Sequence, residues 1–234
     1  MLVNELLTSL FNGQPHLLAE PMASWLASSR RFTDFVKTHH TKIRKKIRTT
    51  QEPETLRDLQ LELETAYLLL REKSLSLKYE PQHQELGRSP DFAVTFTTSL
   101  TFMIEVTRMR GIPVGQLFTD RFIDLVCGKL GQLLIQSSNL LTVGAEAQSL
   151  THNDIHTLML RLQKRAEGND ANLVQRYGFR DRADFFNRYQ RLSAILVRGM
   201  PLQAGDTIVL WNNPQAKYPL PTKVHTALTR SHTL

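Results

Sequence analysis

Asp91 and Glu105 are acids placed where the surrounding residues alternate as strands do. In Thr101 to Thr107 the period of two sends Glu105 and Thr107 to one face and Ile104 and Val106 to the other, so Glu105 is a carboxylate on an otherwise apolar strand. Asp91 opens the preceding strand directly after Pro90, which lacks an N–H for the ladder and suits a strand's first position. Paired as a hairpin, the two acids come close together. Like charges at short range repel unless a cation, a shared proton or solvent relieves them, and a divalent metal site exploits that condition. Each residue also has a purely structural use, Asp91 in a turn and Glu105 on a strand edge.

The elements that must position these acids follow from periodicity. Glu54 to Lys73 reads as a strong helix with Pro53 near its first turn. From Leu75 the period changes to two: Leu75, Leu77 and Tyr79 alternate with polar residues, a polar loop runs from Pro81 to Ser89, and Phe92, Val94 and Phe96 resume the alternation. Phe102, Ile104 and Val106 continue it in a third strand, the last two strands forming the hairpin. A helix over Asp120 to Leu134 then crosses to a short apolar strand at Leu140 to Val143, which makes the sheet mixed. Earlier in the chain, Leu2 to Phe11, Pro15 to Ser28 and Arg31 to Arg48 read as helices. Later, Thr151 to Glu167 and Arg180 to Arg191 read as helices, and Ala194 to Val197 and Thr207 to Trp211 as short strands. Three prolines make Asn212 to Pro221 irregular, and Thr229 to Leu234 is expected as a frayed tail.

Ser89-Pro90-Asp91-Phe92, a hairpin-length spacer and Glu105-Val106-Thr107 together resemble the PD and (D/E)XK elements of the restriction-endonuclease-like nucleases, over about Leu59 to Val143. The resemblance implies an α/β fold with a mixed central β-sheet flanked by helices, here carrying an N-terminal helical extension. It divides the chain into that extension at 1–50, a nuclease-like domain at 51–228 and a tail at 229–234. It implies a metal site of Asp91, Glu105 and a glutamate from the preceding helix, binding Mg²⁺ or Mn²⁺. With Leu59, Leu63, Ala66 and Leu70 as the buried stripe of that helix, Glu62 lies on the flank and Glu64 nearly opposite, so Glu62 is the candidate.

The chain departs from the pattern at the family's lysine position, which holds Thr107. A threonine supplies no positive charge to position the attacking water or stabilise the phosphate. In the family this lysine can move to a neighbouring element, and Lys129 on the next helix is the first substitute, Arg108 the second. Gln132, one turn after Lys129, is placed to hold a phosphate or water. The resemblance therefore implies either metal-dependent phosphodiester hydrolysis of nucleic acid, DNA foremost, with Asp91, Glu105 and Lys129 catalytic, or a catalytically degenerate fold acting as a nucleic-acid-binding or assembly module.

Charge supports a polyanionic partner. The net charge is +7, and Arg30 to Arg48 carries eight Lys and Arg against one acid, Asp34. Arg44, Lys45, Lys46 and Arg48, together with Arg108, are the candidate nucleic-acid contacts. The alternative is the solvated side of a packed helix, since Phe32, Phe35, Val36, Ile43 and Ile47 form an apolar stripe. In that case the N-terminal helices serve a homodimer or another protein partner. A single cysteine, Cys127, excludes an intrachain disulfide and a zinc site of paired cysteines, and its apolar neighbours favour a buried thiol. No Gly-rich phosphate loop, nucleophile elbow or His-Glu-x-x-His helix is present. Neither a membrane span nor a signal peptide is readable, so a cytoplasmic location is expected.

Overall fold

A computed structural model describes residues 2–81, 89–111, 117–145, 150–168, 170–200 and 208–233. Four short helices come first: α1 (Val3–Phe11), α2 (Ala19–Ser28), α3 (Arg30–Thr38) and α4 (His40–Thr49). The single helix expected over Arg31 to Arg48 is thus two, broken at His39. Neither proline nor glycine marks that break. The bend lets Phe35 and Ile43 bury in the same core, while the His39 ring packs 4.9 Å from Phe35 and 5.6 Å from Tyr79.

Helix α5 (Pro53–Arg71) carries Pro at its first position, where a missing N–H costs nothing. It is buried on almost every side, because α3, α4 and the C-terminal helix cover it from outside and the sheet lies beneath. Strands β1 (Leu75–Tyr79), β2 (Phe92–Phe96) and β3 (Leu100–Met109) follow as an antiparallel meander. Most of the loop expected at Pro81 to Ser89 lies outside the described residues. Helix α6 (Phe118–Leu130) crosses over to β4 (Asn139–Ala145), which is parallel to β3. Then come α7 (His152–Glu167), α8 (Ala171–Tyr177), α9 (Arg182–Tyr189), β5 (Leu192–Gly199), β6 (Val209–Asn212) and α10 (Thr222–Ser231).

The result is a mixed α/β fold in which the six strands among the described residues stand in sequence order, with β4 and β5 parallel and β6 antiparallel at the far edge. β4 is buried along its whole length, as a central strand covered on both faces must be. One face packs against α5 and the N-terminal helices through Phe92, Phe102, Ile104 and Leu140, each fully buried. Burying such side chains contributes roughly 1.5–3 kcal/mol each. The other face packs against α6, α7, α8 and α9. On it Cys127 is buried, and its burial pushes the thiol up to about 12.

Helix α5 lies close over the sheet: a Cβ at Gly144 would lie 2.7 Å from a Leu61 methyl, so a larger residue there would displace that buried side chain. On α5 also packs α10, which replaces the frayed tail expected at Thr229 to Leu234. Val224, Ala227 and Leu228 form a buried helical stripe against α5, and Ser231 and His232 are buried in turn. Burial, with Arg198 adding to it, lowers His232 to about 3, so its imidazole is neutral. No helix among the described residues is long and apolar enough to cross a membrane.

Candidate metal and phosphate site

The site is built on an open strand edge. β2 pairs with β3 only from Leu100 to Ile104, whereas β3 continues to Met109 with β4 on its other side. The register pairs Phe92 with Ile104, so one further step sets Asp91 opposite Glu105 on the face away from Phe92. Asp91 Oδ2 accepts the Val106 N–H at 2.7 Å, standing in for a backbone carbonyl at the point where the ladder ends. The Asp91 carbonyl in turn accepts the Glu80 N–H at 2.8 Å. Pro90, with no N–H to satisfy, lets β2 stop there.

From the α6 side, Lys129 Nζ donates to Glu105 Oε1 at 3.0 Å and to Gln132 Oε1 at 3.1 Å. Lys129 sits in the last turn of α6, where the helix dipole favours a cation. From the α5 side, Glu62 Oε1 accepts from Lys46 Nζ at 2.7 Å. Lys46 also pairs with Glu80, which Lys42 meets at 3.1 Å. Both ammonium groups lie over the Tyr79 ring, 5.4 Å for Lys42 and 4.9 Å for Lys46 from its centre. Glu80 holds this position with a φ of 41°, a left-handed backbone that costs a non-glycine residue about 1 kcal/mol.

Asp91 is the electrostatic centre of the group. Burial comes first and the Glu62 and Glu105 carboxylates next in pushing it up to about 8, while the Val106 N–H and Lys129 oppose them. Burial, with Glu62 adding to it, drives the Tyr79 phenol far above its ordinary value. The lysine contacts to Glu62 and Glu80 outweigh desolvation and raise Lys46. The two lysines offset part of the carboxylate charge, and burial with the remainder holds the Asp91 carboxyl toward its protonated form. Carboxylate oxygens are the donors a hard divalent cation takes, and a proton bound at neutral pH marks uncompensated negative charge. Glu62, Asp91 and Glu105 are donors of that class. Among the described residues, however, no three His, Cys, Asp or Glu side chains stand together as a group that could hold a metal ion.

The residues singled out from the sequence fall into two sets. Glu62, Asp91, Glu105, Lys129 and Gln132 are brought together. Among the basic candidates, Lys45 and Arg48 are exposed, Arg48 donating to Asn12 at 3.1 Å, and Arg44 is half-buried. Lys46 is instead part of the carboxylate group. Arg108 also departs from expectation: its side chain is 1% exposed and held by Asp58 at 3.0 Å and by Glu54, on the α5 face. It is committed to anchoring β3 to α5, which removes it as a phosphate contact or a replacement lysine. His39 and His40, within this basic segment, are half-buried, and His40 shares a hydrogen bond with Ser9 at 3.0 Å.

Glu64 is not on the outer side of α5 as the stripe implied. It is buried and pairs with Arg198 of β5 at 2.7 Å; Arg198 also donates to Thr65 at 3.1 Å and to the Leu61 carbonyl at 3.3 Å. Lys42 and Tyr79 went unread as site residues, and Lys46 was read as a nucleic-acid contact, not as a partner of the carboxylates. One signal was present, since Lys46 follows Ile43 by three positions and lies on the buried stripe of its helix. Comparison with protein-family models, curated proteins and solved structures finds no match for the chain.

Proposed function

We propose that the protein hydrolyses phosphodiester bonds of nucleic acid, DNA in the first instance, on a restriction-endonuclease-like core and with Mg²⁺ or Mn²⁺. The observation that carries this reading is the meeting of Glu62, Asp91, Glu105 and Lys129 at the unpaired edge of β3. The order of α5, three antiparallel strands, α6 and a parallel β4 agrees with what the family resemblance implies.

Glu62, Asp91 and Glu105 would hold the ion, with Asp91 giving up its proton. When bound, the ion polarises the scissile phosphate and lowers the pKa of a water. The chain's own contribution is charge and position. Lys129, aimed by Glu105 and Gln132, offsets negative charge developing on the phosphate. Lys46 fixes Glu62 in place, and Lys45 and Arg48 offer backbone contacts on the outer face of α4. A cytoplasmic setting belongs to the same reading.

A second reading rests on the two lysines, each already engaged with a glutamate: the fold then binds nucleic acid without cleaving it. Cleavage of labelled single- and double-stranded DNA in Mg²⁺ or Mn²⁺ decides between them, beside chelator and Glu105→Ala controls. The expected result is cleavage lost in both controls with binding retained. Salt-sensitive binding without cleavage of any substrate would overturn hydrolysis in favour of the second reading.

A further inference from the structure

Beside the carboxylates, a cleft of about 440 Å³ opens between α5 and α6 at the C-terminal end of β3. Thr107, Arg110, Arg121, Gly128 and Lys129 line it, with Asp58 as a carboxylate in its wall. Three observations point to an anionic occupant.

The first is charge. Asp58 is shared by Arg108 at 3.0 Å and Arg110 at 2.5 Å, so one carboxylate does not neutralise both guanidinium groups, and Arg121 adds a further positive charge to the wall. The second is Arg121. It lies in the first turn of α6, where the helix dipole disfavours a cation, and its Nε is buried with no hydrogen-bond partner among the described residues. The third is Gly128, an exposed glycine inside α6. A Cβ there would meet nothing within 4 Å, so packing does not demand glycine, although it weakens a helix relative to alanine. Its missing side chain keeps the cleft wall open.

We propose that this cleft is a phosphate subsite, in which Arg121 and Arg110 hold a backbone phosphate of the nucleic-acid strand next to the one that faces Lys129. The subsite deepens the proposed function and rests on it for the identity of the strand. Lys129 lines both places, so a strand lying along α6 passes from one to the other.

The test is binding of a labelled single-stranded oligonucleotide to the full chain in chelator, where no cleavage occurs, over a range of salt. Arg121→Gln is expected to weaken binding about fivefold and to flatten the log–log salt slope by about 0.7, the loss of one phosphate contact. Gly128→Glu should weaken it further, while Gly128→Ala melts higher than the parent, which shows that the helix tolerates substitution there. Lys223→Gln, exposed on α10, should leave binding unchanged. Unchanged affinity and slope in both Arg121→Gln and Gly128→Glu would overturn the subsite. So would complete displacement of the strand by inorganic phosphate at equal ionic strength, which would make it a site for free phosphate. If only the nuclease reading fails, nothing is cleaved but binding still depends on Arg121. If only the subsite fails, Glu105→Ala abolishes cleavage while Arg121→Gln binds and cleaves as the parent does.

Discussion

Glu62 and Glu64 stand on the same turn of α5, and each meets a cation from another element. The two pairs relate to solvent in opposite ways. Glu64 and Arg198 are sealed between helix and sheet, with side chains 7% and 0% exposed. Hydrogen bonds from Arg198 to Thr65 and the Leu61 carbonyl complete the enclosure. Glu62 and Lys46 are 13% and 30% exposed, at the fork where β2 leaves β3. A sealed pair repays its desolvation only while both partners remain, so it serves as a fastener. A half-open pair keeps its charges within reach of an incoming ion or phosphate, and Glu62 shares its surroundings with Asp91, Glu105 and Lys129.

This contrast is sharpest when one partner is removed. Arg198→Met leaves Glu64 buried without its cation and is expected to cost about 3–5 kcal/mol, lowering the melting temperature by roughly 10 °C or more. Glu64→Leu combined with Arg198→Met should recover most of that loss. Equal stability of the single and double variants in thermal denaturation would contradict the sealed-pair account.

Glu62→Gln should do the reverse. It keeps an oxygen for Lys46, so stability changes by less than about 1 kcal/mol. Under the proposed function, metal-dependent cleavage should fall about 10²-fold or more, because transition-state stabilisation of roughly 3 kcal/mol is withdrawn. A full-rate Glu62→Gln enzyme, measured at saturating metal, would remove Glu62 from the site.

The next effect is pH-dependent. The Asp91 carboxyl is raised to about 8 in the fold, above its ordinary value of 3.8, so between those values the native state binds more protons than the unfolded chain. Its contribution to stability is therefore present at low pH and lost as pH rises toward 8. Asp91→Asn should flatten this dependence and, near pH 8, stabilise the metal-free protein by on the order of 2 kcal/mol. Denaturant melts at several pH values, with and without Mg²⁺, check this. Mg²⁺ should stabilise the parent chain and leave Asp91→Asn almost unaffected.

The elements that build the fork were legible because their large apolar side chains alternate. The period of two in Leu75 to Tyr79, Phe92 to Phe96 and Phe102 to Val106 survives in the residue types, although Ala93 and Met103 are buried on the opposite face with Leu134. Asp91 and Glu105 followed from that alternation and from Pro90. The Glu64–Arg198 pair was not legible: its partners lie 134 residues apart, and α5 is buried nearly all round, so its apolar stripe does not mark a single inner face. Helix α10 was hidden by the prolines before it and by its polar composition, although Val224, Ala227 and Leu228 have helical spacing. α8, only seven residues long, spans too few turns for a period to be read.

Glu105 stands on the sheet and Lys129, its cation, on a helix, so the distance between them depends on how firmly α6 is seated. The chain carries its own reporter of that seating. Cys127 is its single cysteine, two positions before Lys129 on the buried side of the same helix. With the thiol pushed up to about 12, a docked helix gives almost no thiolate, and reaction with a thiol reagent requires α6 to lift. The rate of that reaction measures how often Lys129 leaves the Glu105 carboxylate.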